Sequence, residues 1–290
     1  MNEISTSRDA PFILVPPRRT AIPMVVASPH SGRTYPPDFL ARTRLDLPAL
    51  RRSEDFHLDE LLTDAPDLGA SLLCATFPRI YCDANRAATE LDPGMFTEPL
   101  PPGCDSTSPR VRAGLGVIPR ISAAGAPLYR TRLPFADAAE RIRHFWMPYH
   151  AALAALIQAQ VAAHGACLLV DCHSMPGIAG LDPPDFVLGD GWGTSCAPAV
   201  SAAAEAALRA QGFATSRNKP YAGGYVTRHY GQPARHRHAL QVEISRPLYM
   251  DENRLVPNDG FAAIRAAMTD LLRTLAGVAQ DLARSAGTTS

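Results

Sequence analysis

The chain has 290 residues, of which 46% are hydrophobic and 19% are charged, and its formal net charge at pH 7 is zero. This composition is typical of a globular protein, and the balanced charge argues against nucleic acid or anionic lipid as a partner. No apolar run approaches the roughly 20 residues that a membrane span needs. The polar N-terminal segment MNEISTSRDAP lacks the apolar core of a signal peptide, so we expect a cytoplasmic protein.

The cysteines and basic residues narrow the possible chemistry further. The six cysteines form no C-x-x-C pair, and Cys74, Cys82, Cys167 and Cys172 lie in apolar, strand-like segments. We therefore expect reduced, buried thiols rather than disulfides or a thiolate zinc site. Lys219 is the only lysine, so nearly every cationic group is an arginine. This reflects either codon usage or a use of guanidinium forks to bind carboxylates.

Strand-like and helix-like segments alternate along the chain, as in an α/β fold. In chain order they are the strand Met24–Ala27, the helix Asp55–Thr63, the strand Ser71–Phe77, the helix Ala136–His164, the strands Cys167–Asp171 and Phe186–Leu188, the helix Cys196–Gln211, the strand Ala239–Ile244 and the helix Gly260–Ala283. Pro148 interrupts the second helical pattern and predicts either a kink or two helices, and Gly165 marks its end.

Residues 91–134 differ from the rest because they are rich in proline, glycine and serine and show little periodicity. An irregular stretch of this length in a compact domain is usually a binding loop or a lid. We predict a loop region flanking the active site, because the strand–helix alternation resumes after it in the same style. The chain is therefore predicted to be one α/β domain, residues 1–290, with a mixed, twisted sheet flanked by helices.

Two histidines follow apolar strand-like runs in distant parts of the chain. In MVVASPHSG the run Met24–Ala27 leads to His30, and in LLVDCHSMPG a buried strand carries Asp171 and His173 into a turn. Polar residues at strand ends occupy the rim of a sheet, where α/β enzymes keep their sites. A single histidine of this kind is more often a hydrogen-bonding residue than a ligand. Two of them together suggest a metal site.

Further polar residues stand near the predicted strand ends. Asp55 opens a helical segment, where the helix dipole alone could favour it. Arg79 and Arg86, in RIYCDANR, could form surface salt bridges. Glu243 is harder to explain structurally, since an unpaired carboxylate inside an apolar strand costs several kcal/mol to bury. Together with the histidines, these residues would supply the parts of a hydrolytic zinc site, with a base and cations for an anionic substrate.

On these motifs the chain resembles the N-formylglutamate amidohydrolases, relatives of zinc carboxypeptidases and aspartoacylases. The resemblance covers roughly residues 25–247 and depends on SPHSG, EDFHLDEL, RIYCDANR, LLVDCHSMPG, GGYVTRHYG and QVEISRPLYM. The R-x-x-x-D-x-N-R string is similar to the motif with which aspartoacylases bind the substrate carboxylate. The resemblance implies a single mixed α/β domain of the zinc-exopeptidase, or carboxypeptidase-like, type.

The resemblance implies that His30, Asp55 and His173 bind one divalent metal ion. Zinc suits these ligands best, and cobalt, manganese and iron also fit them. In the carboxypeptidase group the carboxylate ligand comes three residues after the first histidine, but here that position is Arg33, which cannot bind a cation. Asp55 is the candidate that replaces it, and Glu54 is the neighbouring alternative.

The same resemblance assigns the catalytic and substrate-binding roles. Glu243 would take a proton from metal-activated water and pass it to the leaving amine. Arg79 would polarise the scissile carbonyl and stabilise the oxyanion. Asn85 and Arg86 would bind the α-carboxylate of the substrate. Arg228, in the GGYVTRHYG segment that we expect to be a loop or hairpin, would bind a side-chain carboxylate.

The predicted reaction is the hydrolysis of N-formyl-L-glutamate to formate and L-glutamate. The alternative within the same enzyme class is an N-acyl amino acid deacylase, or a carboxypeptidase-like peptidase, that acts on another acidic substrate. A metal-binding regulatory protein would have no need for Glu243, Arg79, Asn85 and Arg86 together. An arginine-rich nucleic-acid binder would carry a net positive charge, which this chain lacks.

Overall fold

The computed structural model describes residues 10–177 and 184–287, so most of the N-terminal segment discussed above lies outside the described residues. The strands are β1 (Phe12–Val15), β2 (Met24–Ser28), β3 (Ser71–Ala75), β4 (Cys167–Met175), β5 (Phe186–Gly189), β6 (Thr215–Arg217), β7 (Arg237–Ser245), β8 (Met250–Asp251) and β9 (Val256–Pro257). The α-helices are α1 (Pro37–Arg42), α2 (Leu47–Arg51), α3 (Leu58–Leu61), α4 (Pro109–Arg112), α5 (Phe135–Arg141), α6 (Met147–His164), α7 (Pro198–Ala210), α8 (Tyr225–Tyr230) and α9 (Phe261–Gly287).

Seven strands form a mixed sheet in the order β1-β3-β2-β4-β7-β5-β6, and β8 pairs with β9 separately. Strand β4 runs parallel to β2 and β7, whereas β5 is antiparallel to β7 and parallel to β6. Every residue of β2 and β4 is buried, as expected for apolar strands with parallel neighbours. The predicted mixed α/β fold is confirmed.

By its internal contacts the chain divides into two compact units, whose described parts are residues 10–13, 29–54 and 74–152, and residues 14–28, 55–73, 153–177 and 184–287. The assignment of a single domain stays a prediction. In the second unit α9 packs against α3, α7 and β4, and α8 packs against β4 and β7. Helix α9 buries Ile264, Met268, Leu271 and Leu275, whose spacing of three or four residues places them on one face.

Residues 91–134, for which an irregular region is predicted, lie in the first unit and contain a 3-10 turn (Pro93–Met95) and the short α4. This region is anchored by backbone hydrogen bonds. The amide of Asp83 donates to the carbonyl of Val117 at 2.7 Å, and the amide of Val117 donates to the carbonyl of Glu90 at 2.8 Å. These bonds attach the irregular region to the RIYCDANR segment.

The long helix predicted around Pro148 is interrupted just before that residue. Helix α5 continues into a π-helical segment (Ile142–Trp146), and α6 begins at Met147. Proline has no backbone N–H to donate to the preceding turn of a helix, and its ring clashes with a carbonyl group of that turn. The wider π-helical turn just before Pro148 accommodates both the absent hydrogen bond and the ring.

Three local predictions are wrong. Strand β4 does not end near Asp171 but runs to Met175, because β7 pairs with it along its whole length. The helix predicted from Asp55 is limited to α3, since His57 adopts the left-handed conformation (φ 58°) just before it. The GGYVTRHYG segment is neither a loop nor a hairpin but contains α8.

Two further properties concern the whole of the described chain. Within residues 10–177 and 184–287, every helix is too short or too polar to cross a membrane. All six cysteines are free thiols, and all of them except Cys104 are buried.

Candidate metal centre

His30 lies two residues beyond β2 and is almost completely buried. Its Nε2 atom is 2.7 Å from Oδ1 of Asp83. The chain at Gly32 passes close to Phe77, since a Cβ at position 32 would lie 2.1 Å from the Phe77 carbonyl oxygen. The RIYCDANR segment thus supplies the carboxylate that orients this imidazole, and the SPHSG glycine allows the close approach.

Asp83 is the centre of a charged network in the first unit. Besides His30, its side chain accepts the amide of Asn85 at 2.8 Å and Nη2 of Arg79 at 3.0 Å. Burial alone would raise the pKa of Asp83, but the positive charges of His30, Arg79 and Arg86 outweigh it and hold the pKa well below its usual value. Asp83 is therefore a fixed negative charge behind His30.

His173 lies inside β4 and is buried between two carboxylates. Its Nε2 atom is 3.0 Å from Oδ1 of Asp171, and its Nδ1 atom is 3.2 Å from Oδ2 of Asp55. Asp171 precedes it by two residues on the same face of the strand, so its carboxylate orients the imidazole. Burial lowers the pKa of His173, but the charges of Asp171, Asp55 and Glu243 and the hydrogen bonds outweigh it and raise the pKa well above its usual value.

Asp55 is fully buried and is held on its other side by an arginine that sequence reasoning missed. Nη2 of Arg246 donates to Oδ1 of Asp55 at 3.0 Å, and Nε of Arg246 donates to Oγ of Ser174 at 3.0 Å. The signal in the sequence was the arginine of QVEISRPLYM, directly after the strand that carries Glu243. Arg246 leaves Oδ2 of Asp55 directed toward His173.

Glu54, the alternative ligand, belongs to a different group of side chains. It accepts a hydrogen bond from the Tyr35 hydroxyl at 2.7 Å and lies 3.4 Å from Nε of Arg51. Burial raises the pKa of Glu54 to about 7. A carboxyl group with that pKa is a poorer cation ligand at neutral pH than an ionised one, so the geometry and the chemistry both favour Asp55.

His30, Asp55 and His173 together form a possible metal-binding group. Each of the three offers one ligand atom that could hold a metal ion, and all three side chains are buried. Two imidazoles and a carboxylate form the donor set that zinc and similar divalent ions prefer. Because Asp83 and Asp171 occupy the Nε2 atoms of the two histidines, Nδ1 is the ring atom of each that suits a metal ion. The residues present therefore fit a divalent cation.

Glu243, the predicted base, lies on β7 directly beside His173 in the register of the two parallel strands. Side chains in register on neighbouring strands share one face of the sheet, so the carboxylate and the imidazole are neighbours. Oε1 of Glu243 accepts a hydrogen bond from Nε2 of Gln241 at 2.9 Å, and the side chain is buried. A buried carboxylate beside a group of metal-ligand type is chemically suited to accept a proton.

The residues with predicted roles toward the substrate differ from one another in burial and in hydrogen-bond partners. Arg79 is partly exposed and is paired with Asp83. Arg86 is buried and donates to the carbonyl oxygens of Leu115 and Asn85, and burial lowers its pKa to about 10. Arg228 is exposed on α8. The structure thus brings Arg79, Asn85 and Arg86 together around Asp83.

Comparison with known proteins identifies the family. A family model described as N-formylglutamate amidohydrolase matches residues 22–250. An N-formylglutamate deformylase from Pseudomonas aeruginosa is 35% identical over 268 residues, which are 89% of this chain and 94% of that protein. The N-formylglutamate deformylase of Pseudomonas putida is 31% identical over 241 residues, covering 80% of this chain and 83% of that protein.

Solved structures agree with this assignment. The crystal structure of N-formylglutamate amidohydrolase from Ralstonia eutropha JMP134 is 37% identical, with a TM-score of 0.84, and the match covers 95% of this chain and 99% of that one. A gene product from Agrobacterium tumefaciens, 17% identical with a TM-score of 0.67, shares the fold. Since the family model spans most of the chain and the relatives match it nearly end to end, the chain belongs to the N-formylglutamate amidohydrolase family.

Proposed function

We propose that this protein hydrolyses the amide bond of N-formyl-L-glutamate, giving formate and L-glutamate. The observation that carries the proposal is the buried group of His30, Asp55 and His173, which has the donor set of a hydrolytic metal site. The names of its relatives supply the substrate, since the matching proteins of Pseudomonas aeruginosa and Pseudomonas putida are N-formylglutamate deformylases. We assign the activity to the cytoplasm.

The metal that we propose is zinc, held by His30, Asp55 and His173. When bound, such an ion polarises a carbonyl and lowers the pKa of water towards ~7. The protein keeps these ligands in place through their outer partners. Asp83 and Asp171 orient the two imidazoles, and Arg246 fixes the carboxylate of Asp55. Side chains restrained in this way present one coordination geometry. They also lose less conformational freedom when the cation binds.

Glu243 is the group to which we assign the proton transfers. Its carboxylate accepts a proton from the attacking water while the oxygen of that water adds to the formyl carbon. The same proton then passes to the glutamate nitrogen as the C–N bond breaks, which gives formic acid and an uncharged amine. The acid then gives its remaining proton to the amine, so the final products are formate and L-glutamate with a protonated amino group. The hydrogen bond from Gln241 holds one oxygen of Glu243, so that the other is oriented for this exchange.

The arginines account for the charge of the substrate. N-formyl-L-glutamate carries two carboxylates, and we assign its α-carboxylate to Asn85 and Arg86. Arg79 is assigned to the developing oxyanion, and its ion pair with Asp83 fixes the orientation of the guanidinium. Arg228, exposed on α8, is the candidate for the side-chain carboxylate.

The experiment that tests this function is a measurement of formate release from N-formyl-L-glutamate by the purified protein. It is made before chelator treatment, after it, and again with zinc or cobalt restored. N-acetyl-L-glutamate, N-acetyl-L-aspartate and N-formyl-L-alanine serve as comparison substrates. We expect turnover that chelation abolishes, that the metal restores and that favours N-formyl-L-glutamate.

Two results would contradict the proposal in different ways. Turnover that survives complete removal of metal would exclude the assigned role of His30, Asp55 and His173. Faster turnover of an N-acetyl substrate than of N-formyl-L-glutamate would keep the metal site and replace the substrate, in favour of a broader N-acyl amino acid deacylase.

A further inference from the structure

Helix α8 directs one polar side chain into the protein interior. Thr227 has no exposed surface, and its hydroxyl donates to Oδ2 of Asp171 at 3.0 Å. The GGYVTRHYG segment that contains it was expected to provide substrate contacts. Its buried threonine instead reaches the carboxylate that lies behind His173, so the segment has a use that the proposed reaction does not explain.

The hydrogen bonds through Asp171 have a defined direction. An ionised carboxylate can only accept, so the Thr227 hydroxyl donates to one of its oxygens and Nε2–H of His173 donates to the other. With the proton of a neutral imidazole held on Nε2, the lone pair is on Nδ1. That is the nitrogen which faces Asp55. The order Thr227, Asp171, His173 therefore specifies which ring atom is available to a metal ion.

Two glycines flank the helix at positions where an added side chain would crowd Thr227. A Cβ at Gly223, where φ is +112°, would lie 3.0 Å from Cγ2 of Thr227, and a Cβ at Gly231 would lie 2.6 Å from the carbonyl oxygen of Thr227. The amide of Gly224 also donates to Oε1 of Gln241 at 2.8 Å. Glycines at both ends of α8 and an anchor on β7 thus fix the position from which Thr227 reaches Asp171.

We propose that Thr227 is a positioning residue for the metal site, which acts by holding Asp171 and, through it, the tautomer and ring orientation of His173. This inference rests on the proposed metal-dependent function. Without the threonine hydroxyl, one oxygen of a fully buried carboxylate loses the donor seen here, and Asp171 is free to rotate away from His173. The consequence is a weaker metal site, although Thr227 touches neither metal ion nor substrate.

The test compares variants that differ in the hydroxyl group alone. Thr227→Val keeps the shape of the side chain, whereas the pair Thr227→Ser and Thr227→Ala provides the same comparison if the valine variant does not fold. The dissociation constants of zinc and cobalt are measured by competition with a chelating indicator. In the zinc-loaded protein the protonation of His173 is read from the ¹⁵N chemical shifts of its imidazole. Thr43→Val is the matched control, since Thr43 is also buried and its hydroxyl donates to the carbonyl of Leu128.

Removal of a residue that is hydrogen-bonded to a metal ligand lowers metal affinity about 10- to 100-fold. Thr227 is one hydrogen bond further from the ligand, because it contacts Asp171 rather than His173. We therefore expect Thr227→Val and Thr227→Ala to weaken metal binding about tenfold and to change the imidazole shifts of His173. Thr227→Ser and Thr43→Val should retain wild-type values. If the hydroxyl-free variants bind metal as tightly as the wild type, the inference is wrong while the proposed function stands. If the wild type itself binds no metal, both are wrong.

Discussion

Replacement of Glu243 by glutamine removes the proposed general base and leaves the shape of the candidate site nearly unchanged. The two side chains have nearly the same shape, and the glutamine carbonyl can still accept the hydrogen bond that Gln241 donates at 2.9 Å. Glu243 is outside the group of His30, Asp55 and His173, so the metal ligands are unchanged. Loss of a positioned general base lowers kcat about 10²- to 10⁴-fold. At ~1.36 kcal/mol per tenfold change, this corresponds to about 3–5 kcal/mol of transition-state stabilisation.

The assay measures kcat for formate release, the bound metal per protein chain and the thermal unfolding temperature on the same samples. Glu243→Gln should lose activity and keep both its metal content and its unfolding temperature. Glu205→Gln is the control, because Glu205 lies on α7 and forms ion pairs with Arg209 and Arg217. The control should show wild-type kcat, since Glu205 and its two partners are not among the residues to which we assign metal binding, proton transfer or substrate binding.

Two results would refute the reasoning about Glu243. If the variant retained kcat within a few-fold of the wild type at equal metal content, the proton would be carried by another group. If the variant lost its metal along with its activity, Glu243 would be a ligand rather than a base, and the assigned ligand set would be incomplete.

Three further predictions concern single contacts. Asp83→Asn removes the charge that orients His30, so the zinc dissociation constant measured by chelator competition should rise about 10- to 100-fold, and an unchanged constant would contradict the orienting role. His238 accepts the amide of Ala197 through Nδ1, and burial lowers its pKa to about 4. Because the unfolded chain binds the proton near pH 6.5 and the folded one does not, stability is lost as the pH falls from about 6.5 to about 4. After allowance for solvent screening the loss is about 1–2 kcal/mol. His238→Asn keeps an acceptor without titrating and should unfold less readily in acid, whereas identical acid transitions would exclude His238 as the cause. Gly32→Ala places a methyl group 2.1 Å from the Phe77 carbonyl oxygen, so its unfolding free energy should fall by about 1–3 kcal/mol in urea, and wild-type stability would show that the backbone here can move apart.

The sequence was sufficient for the fold class because the strands β2, β3, β4 and β5 are buried along their whole length. Strands of this kind consist of continuous apolar runs, as in Met24–Ser28, where every residue is buried, and such runs can be recognised without tertiary information. Strand β4 shows where this reading fails. Its second half contains Asp171, His173 and Ser174, and polar residues normally mark the end of a buried strand. Their place in the strand follows from pairing with β7, which lies some 70 residues further along the chain.

The candidate site was also only partly predictable from the sequence. Motif resemblance named His30, Asp55 and His173, and the same three buried residues are a possible metal-binding group in the structure. The choice between Asp55 and Glu54 depends on contacts with Arg246 and Tyr35, which are distant in sequence, so adjacent carboxylates could not be distinguished from the chain alone. The residues that orient the ligands do not occur at a fixed spacing from them in the sequence. Each is simply the side chain that the folded chain places behind the ligand.

The charges around His173 explain why this site should favour a divalent cation. Asp55 and Asp171 contact its ring, Glu243 lies beside it in register, and Arg246 offsets one of these three carboxylates. A formal excess of two negative charges therefore surrounds a neutral imidazole in a buried place, which is costly unless it is compensated. A proton on the ring supplies one positive charge, in agreement with the raised pKa of His173. A divalent cation supplies two and needs the same Nδ1 atom, so it replaces that proton and balances the remaining charge.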